Sequence, residues 1–237
     1  MNTLKNCSLW VTFLFAVWGL FLCVGSVEAA VSIYAEGAYT DSDLVVYVFA
    51  DIDSEALCSA GVKVTYNSAV LSPASAEKNG AVWYMGDGTN NYPYKDPEDI
   101  GDGIVILCGK LDVNEPAAGV IGERILLGKI IFNRTDDGAT PVSNPEDYFG
   151  ISLALGHGGD FANFVTVGGT ELDDSVSTYG VVVRERGDAS GDGVIDTRDL
   201  RALRQMIGGA DDFPCFADCT GDSVLDTRDL RCLRGKI

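Results

Sequence analysis

From residue 31 to residue 184 short apolar runs alternate with turn-forming residues, and no helical period develops. Strands are predicted at 31–34, 44–52, 62–66, 81–85, 104–111, 126–132, 151–155, 164–167 and 179–184, separated by Gly, Pro, Asn and Asp clusters. Val62-Lys-Val-Thr-Tyr66 alternates like a half-buried strand, whereas Leu126-Leu-Gly-Lys-Ile-Ile-Phe132 reads as more fully buried. No amphipathic helix is expected between them. Nine short strands predict a mainly β N-terminal domain, a two-sheet sandwich of jelly-roll type.

Beyond residue 187 the period changes. Leu200, Leu203 and Ile207 fall at i, i+3 and i+7, as do Leu230, Leu233 and Ile237. Two short helices are predicted, each with one apolar stripe, and the stripes should pack on each other because neither helix can bury its face alone. An acidic stretch precedes each helix: Asp188-Ala-Ser-Gly-Asp-Gly-Val-Ile-Asp-Thr-Arg-Asp199 and Asp218-Cys-Thr-Gly-Asp-Ser-Val-Leu-Asp-Thr-Arg-Asp229. Aligned from Asp188 and Asp218, 13 of 20 positions are identical.

Oxygen-bearing side chains recur at loop positions 1, 3, 5, 9 and 12, the spacing that wraps Ca²⁺ in an EF-hand-type loop. Asp188, Ser190, Asp192, the Val194 carbonyl, Asp196 and Asp199 form one expected ligand set. Asp218, Thr220, Asp222, the Val224 carbonyl, Asp226 and Asp229 form the other. Gly193 holds position 6, where a positive φ costs glycine least. Ser223 stands there in the second loop, which should therefore be more strained. Four carboxylates in each loop repel one another, so ion uptake should couple to folding.

Residues 187–237 resemble a type I dockerin: a duplicated loop-helix without the entering helix of a full EF-hand, with Asp at position 12. Departures are Ser223 in place of glycine, a second helix that stops at Ile237, and three cysteines, Cys215, Cys219 and Cys232. The resemblance implies a cohesin-bearing protein partner, contacted at the positions matching Thr197–Arg198 and Thr227–Arg228. Arg201, Arg204, Arg231 and Arg234 extend the same arcs; a plain solvated face balancing nearby aspartates is the alternative.

Lys5, the uncharged apolar run 9–24 and the small residue ending Val27-Glu-Ala29 read as a signal peptide over 1–29, with cleavage after Ala29 and export. The run is slightly short for a membrane span. No span is expected after cleavage. A net charge of −18 argues against nucleic acid as a partner. Removing Cys7 and Cys23 from seven cysteines leaves five. Cys58–Cys108 is the expected sandwich disulfide in an oxidising compartment, and one pair among Cys215, Cys219 and Cys232 would staple the small domain.

Within 30–184, Leu44-Val-Val-Tyr-Val-Phe-Ala50, Ala60-Gly-Val-Lys-Val-Thr-Tyr-Asn-Ser-Ala-Val-Leu71 and Leu127-Gly-Lys-Ile-Ile-Phe132 follow the order seen in cohesins, and the segment resembles that family. Cohesins share their sandwich with carbohydrate-binding modules, so fold alone does not choose between protein and glycan partners. The stretch 86–103 departs from a compact cohesin loop. Trp83, Tyr84, Tyr92 and Tyr94 are candidates for a sugar platform there; Asp87, Asp96, Glu98, Asp99 and Asp102 are candidates for a third calcium; a polar surface loop is the alternative. The sole histidine, His157, has no nucleophile motif beside it, so no catalysis is expected.

The expectation is a secreted, non-catalytic assembly protein of cohesin-like sandwich plus dockerin, binding two Ca²⁺ ions and serving extracellular polysaccharide degradation. Cohesin- or dockerin-bearing proteins, including its own chain type in head-to-tail contacts, are the expected partners. The alternative is a polysaccharide-binding module tethered to a complex by its dockerin.

Overall fold

The computed structural model describes residues 30–92, 95–138, 142–156, 161–172, 175–209 and 213–237. The segment expected to be a signal peptide, Tyr94 and His157 lie outside them. Eleven strands are formed: β1 (Val31–Tyr39), β2 (Asp43–Thr65), β3 (Leu71–Lys78), β4 (Met85–Gly86), β5 (Glu98–Asp99), β6 (Ile104–Gly109), β7 (Leu111–Asp112), β8 (Val120–Arg134), β9 (Ser152–Leu155), β10 (Val165–Thr166) and β11 (Val176–Glu185). Three α-helices accompany them: α1 (Pro145–Phe149), α2 (Thr197–Ile207) and α3 (Thr227–Arg234).

The long strand β2 organises the sandwich. Its first half lies antiparallel between β1 and β8; its second half pairs with β6 and β9. Leu44, Val46, Val48, Ala50 and Ile52 are buried on alternate positions, Leu57 departs from that parity, and Ala60, Val62 and Val64 return to it. That change coincides with register shifts between Ala50 and Leu57, where the polar stretch 51–55 interrupts the apolar run. The strand thus bends from one sheet into the other. β3 continues the first sheet beyond β8, and β11 joins it on the other side, parallel to β1.

The two strands expected at 44–52 and 62–66 are therefore one. β3 was not anticipated, because Ser, Pro and Glu fill its exposed edge. At 81–85 only Met85 is in a strand, β4, which pairs with β7. One short helix does lie among the strands: α1, a single turn with Pro145 in its first turn and Gly150 closing it at φ 60°.

The expected Cys58–Cys108 disulfide is not formed; both are free. On the β2–β6 ladder Cys108 faces Ala60, not Cys58. The Cys58 sulfur points to the Thr166 carbonyl and the Cys108 sulfur to that of Leu127. Cys219 and Cys232 do bond, with Cα atoms 5.9 Å apart, and Cys215 stays free.

Two separate apolar clusters exist. One fills the sandwich around Trp83, Phe132, Phe149 and Phe164. The other joins Leu203 of α2 to Leu233 of α3, with Ala189, Ala217 and Cys219. Leu200, Leu230 and Ile207 flank it as expected, but α3 ends at Arg234 and Ile237 is 53% exposed.

Candidate cation loops and their dock

Both loops are built alike. Asp196 and Asp226 cap α2 and α3 from extended backbone, each accepting the N–H two residues on, while Asp199 and Asp229 reach back to the cap N–H. The other oxygen of Asp199 accepts from the Ser190 N–H (2.8 Å), and that of Asp229 from Thr220 (3.0 Å). Asp188 accepts from Gly191 and Gly193 at 2.9 and 2.8 Å; Asp218 accepts from Gly221 and Ser223 at 2.7 and 2.6 Å. Thr220 Oγ1 bridges the second pair, 3.1 Å from Asp218 and 3.0 Å from Asp229.

Each loop thus folds two carboxylates inward. Asp188, Asp199 and Asp229 are fully buried and Asp218 nearly so. Burial pushes the carboxyls of Asp188 and Asp218 above the ordinary range, and the partner aspartate, Asp199 or Asp229, pushes the same way against the loop N–H groups. Gly193 turns the first loop at φ 84°; Ser223 does so at φ 65°, the left-handed strain expected of a side chain there.

The remaining carboxylates of each loop lie at its surface. Asp192 and Asp196 are both held by Arg198, and Asp222 and Asp226 by Arg228. Ser190 and Thr220 lie at the surface, and Val194 and Val224 are 53% and 51% exposed. Among the described residues no three acidic, histidine or cysteine side chains converge as a ready cage. The donor set nonetheless fits a hard cation: a buried pair of like-charged carboxylates with a hydroxyl beside it, and two more carboxylates held at the surface by an exposed arginine and by loop N–H groups.

The residues expected to meet a partner divide. Arg198 and Arg228 are tied to their own loops. Thr197, Arg201, Arg204 and Gln205 surround Leu200 in an open hollow on α2. Thr227, Arg231 and Arg234 are exposed on α3.

Of the four aromatics expected to form a sugar platform, Trp83, Tyr84 and Tyr92 are among the described residues, and each has a different environment. Trp83 is fully buried, its indole N–H donating to the Leu126 carbonyl. Tyr84 donates to Asp112 under the Lys110 ammonium, and Tyr92 is 68% exposed. The acidic residues of the 86–103 stretch are separately engaged: Asp87 with its own turn, Glu98 with Lys95, Asp99 with Tyr66 and Asp102 with Lys63.

Sequence reasoning missed a third feature, the contact between the loops and the sandwich. Arg124 of β8 grips Glu36 of β1 through two hydrogen bonds, at 2.5 and 2.8 Å, and donates to the Phe213 carbonyl at 2.8 Å. The second oxygen of Glu36 also accepts the Cys215 N–H at 3.0 Å. The guanidinium lies 4.3 Å from the centre of the Phe49 ring. Arg124 itself sits at φ 51°, its N–H bound to Asp51. Tyr47 meets Ser223, and these side chains with Leu126, Cys215 and Asp218 line a cavity of about 210 Å³ between sandwich and second loop.

No protein-family model matches the chain, and no curated protein does. Solved structures similar to it include the sixth cohesin of scaffoldin B from Acetivibrio cellulolyticus, in complex with a mutant Cel5 dockerin: 18% identity over 66% of this chain and 97% of that one, TM-score 0.42. The Coh-OlpC–Doc435 cohesin–dockerin complex from Clostridium thermocellum aligns at 14% identity over 67% and 96%, TM-score 0.45. A non-cellulosomal cohesin from the archaeon Archaeoglobus fulgidus aligns at 18% identity over 65% and 87%, TM-score 0.39.

Proposed function

We propose that this is an exported, non-catalytic assembly protein whose C-terminal repeat takes up two Ca²⁺ ions and plugs into a cohesin-type partner, in the service of extracellular polysaccharide breakdown. One observation carries the reading: two successive loops fold a pair of aspartates inward by the same hydrogen bonds, and capping boxes tie each pair to a helix. A hard dication supplies the positive charge that lets four carboxylates share one loop. Asp188, Asp192, Asp196 and Asp199, with Ser190 and the Val194 carbonyl, would hold one ion; Asp218, Asp222, Asp226 and Asp229, with Thr220 and the Val224 carbonyl, the other. The partner surface is the hollow on α2, cationic at its rim and apolar at Leu200, which suits an acidic protein face with an apolar knob. Export rests on the apolar run before Ala30.

Calorimetric titration of the full chain with CaCl₂ should give two ions per chain, reduced to one by Asp188→Ala or Asp218→Ala. Binding to a cohesin should be lost in chelator and weakened by Arg201→Glu. Titrations silent for calcium would end this reading.

A further inference from the structure

The loops lack the entering helices of full EF-hands, and the structure shows what stands in their place. Asp188 follows directly from β11, whose pairing with β1 is extended by the Arg186 N–H donating to the Tyr39 carbonyl at 2.8 Å. Asp218 follows the 3₁₀ turn Cys215–Ala217, which is pinned to β1 and β8 by Glu36 and Arg124. A hydrogen bond from the Gly187 N–H to the Phe216 carbonyl, 2.7 Å long, ties the two lead-ins together.

Two arginines, one at the end of β11 and one just beyond it, repeat the arrangement. Arg184 donates to the Gly191 carbonyl in the first loop and pairs with Glu146 of α1. Arg186 lies against Gly221, at the matching position of the second loop, and pairs with Asp43 of β2. Arg124, at φ 51°, holds at this contact a backbone that it does not prefer, whereas the positive φ of Ser223 is that of loop position 6, shared with Gly193.

We propose that the face of β1, β2 and β8 is a dedicated dock for the chain's own C-terminal repeat, and that docking and cation uptake form one linked equilibrium, with Glu36 and Arg124 as the positioning residues for Asp218. The docked lead-in presents Asp218 to its loop already placed, which lowers the ordering cost of uptake. Linkage is reciprocal, so uptake tightens the dock. External partners must then engage other surfaces. The linkage rests on the calcium reading above.

The test uses the full chain with Arg124→Ala and Glu36→Gln, and Arg124→Lys as a variant that keeps the charge and loses the fork. With Trp10 and Trp18 replaced by Phe throughout, fluorescence of the buried Trp83 reports an intact sandwich. Calcium titration should show uptake at one site weakened roughly tenfold in the first two variants and less in Arg124→Lys, with the other site little changed. Small-angle scattering in chelator should show the first two expanded relative to wild type and compact again with calcium. Wild-type uptake of two ions, with all variants unaltered in affinity and in scattering, overturns the linkage alone. A silent wild-type titration overturns the calcium reading and the linkage with it, and the chelator scattering still decides whether Arg124 holds the dock.

Discussion

The hydroxyl of Ser223 lies 3.4 Å from that of Tyr47, a contact spanning 176 residues that joins the tip of the second loop to the outer face of β2. The first loop has glycine at this position and no such neighbour in the sandwich. The serine accepts a left-handed backbone and in return touches the dock. Two opposing effects of replacing it can be weighed. Glycine relieves the strain, worth about 1–2 kcal/mol, less about 0.5–1 kcal/mol for its greater freedom in the unfolded chain. The hydroxyl contact is exposed and long, and contributes less. Ser223→Gly should therefore raise stability slightly, and Ser223→Val should lower it by more than about 1 kcal/mol, because a β-branched residue resists positive φ. Thermal unfolding followed by circular dichroism checks both; a destabilised glycine variant would show that the contact with Tyr47 outweighs the strain.

Arg198 competes with any cation for Asp192 and Asp196, as Arg228 does for Asp222 and Asp226. These pairs are exposed and screened, so each arginine is a weak competitor. Arg198→Ala should strengthen calcium uptake at the first loop by roughly two- to fivefold at low salt, and the gain should shrink at high salt. The second loop should not respond. Calorimetry at two ionic strengths measures this, and weaker uptake in the variant would mean that the arginine orients its aspartates rather than withholding them.

The parts legible in the sequence were those fixed by local spacing. Position-by-position repetition marked both loops, and the i, i+3 pairs Leu200/Leu203 and Leu230/Leu233 marked the two helices and their shared core. Alternation located most strands. It could not show that 44–52 and 62–66 are one bent strand, since the polar stretch between them reads as a turn and is in fact a run of bulges. Trp83 looked like a ligand platform because it neighbours Tyr84 and an acidic loop; whether an aromatic faces solvent depends on tertiary packing, here a hydrogen bond to Leu126 on a distant strand. The Glu36–Arg124 dock was hidden for the same reason, with 88 residues between its partners and an ordinary residue type at each end.

The cysteine pattern yields a direct count. Alkylation of the denatured, unreduced protein lacking residues 1–29 should label Cys58, Cys108 and Cys215 and spare Cys219 and Cys232, as read by peptide mass spectrometry. Burial pushes the Cys108 thiol up to about 12, so in the native protein it should react far more slowly than Cys58. The Cys219–Cys232 bond closes a short loop that contains the second acidic stretch from Thr220 to Asp229, and Cys219→Ser with Cys232→Ser should cost about 2–3 kcal/mol in the C-terminal repeat. Labelling of Cys219 without reductant would contradict this pairing.

Asp136 gives the sandwich a defined acid limit. Its carboxylate is held by Arg134 through two hydrogen bonds, at 3.0 and 2.7 Å, and by the Tyr148 hydroxyl, fastening the end of β8 to α1. Arg134 also donates to the Thr40 carbonyl. The arginine and tyrosine bonds depress the carboxyl from 3.8 to about 2. The folded value lies below the unfolded one, so the stabilisation is fully present above about pH 4 and disappears as pH falls through about 2. Both side chains are nearly buried, 9% exposed for Asp136 and 1% for Arg134, and the contribution is about 1–2 kcal/mol. Asp136→Asn should lower the sandwich melting temperature at pH 6 and lower it much less near pH 2. The Trp83 fluorescence transition separates this unfolding from that of the C-terminal repeat. An equal loss at both pH values would assign the effect of Asp136 to packing rather than to its charge.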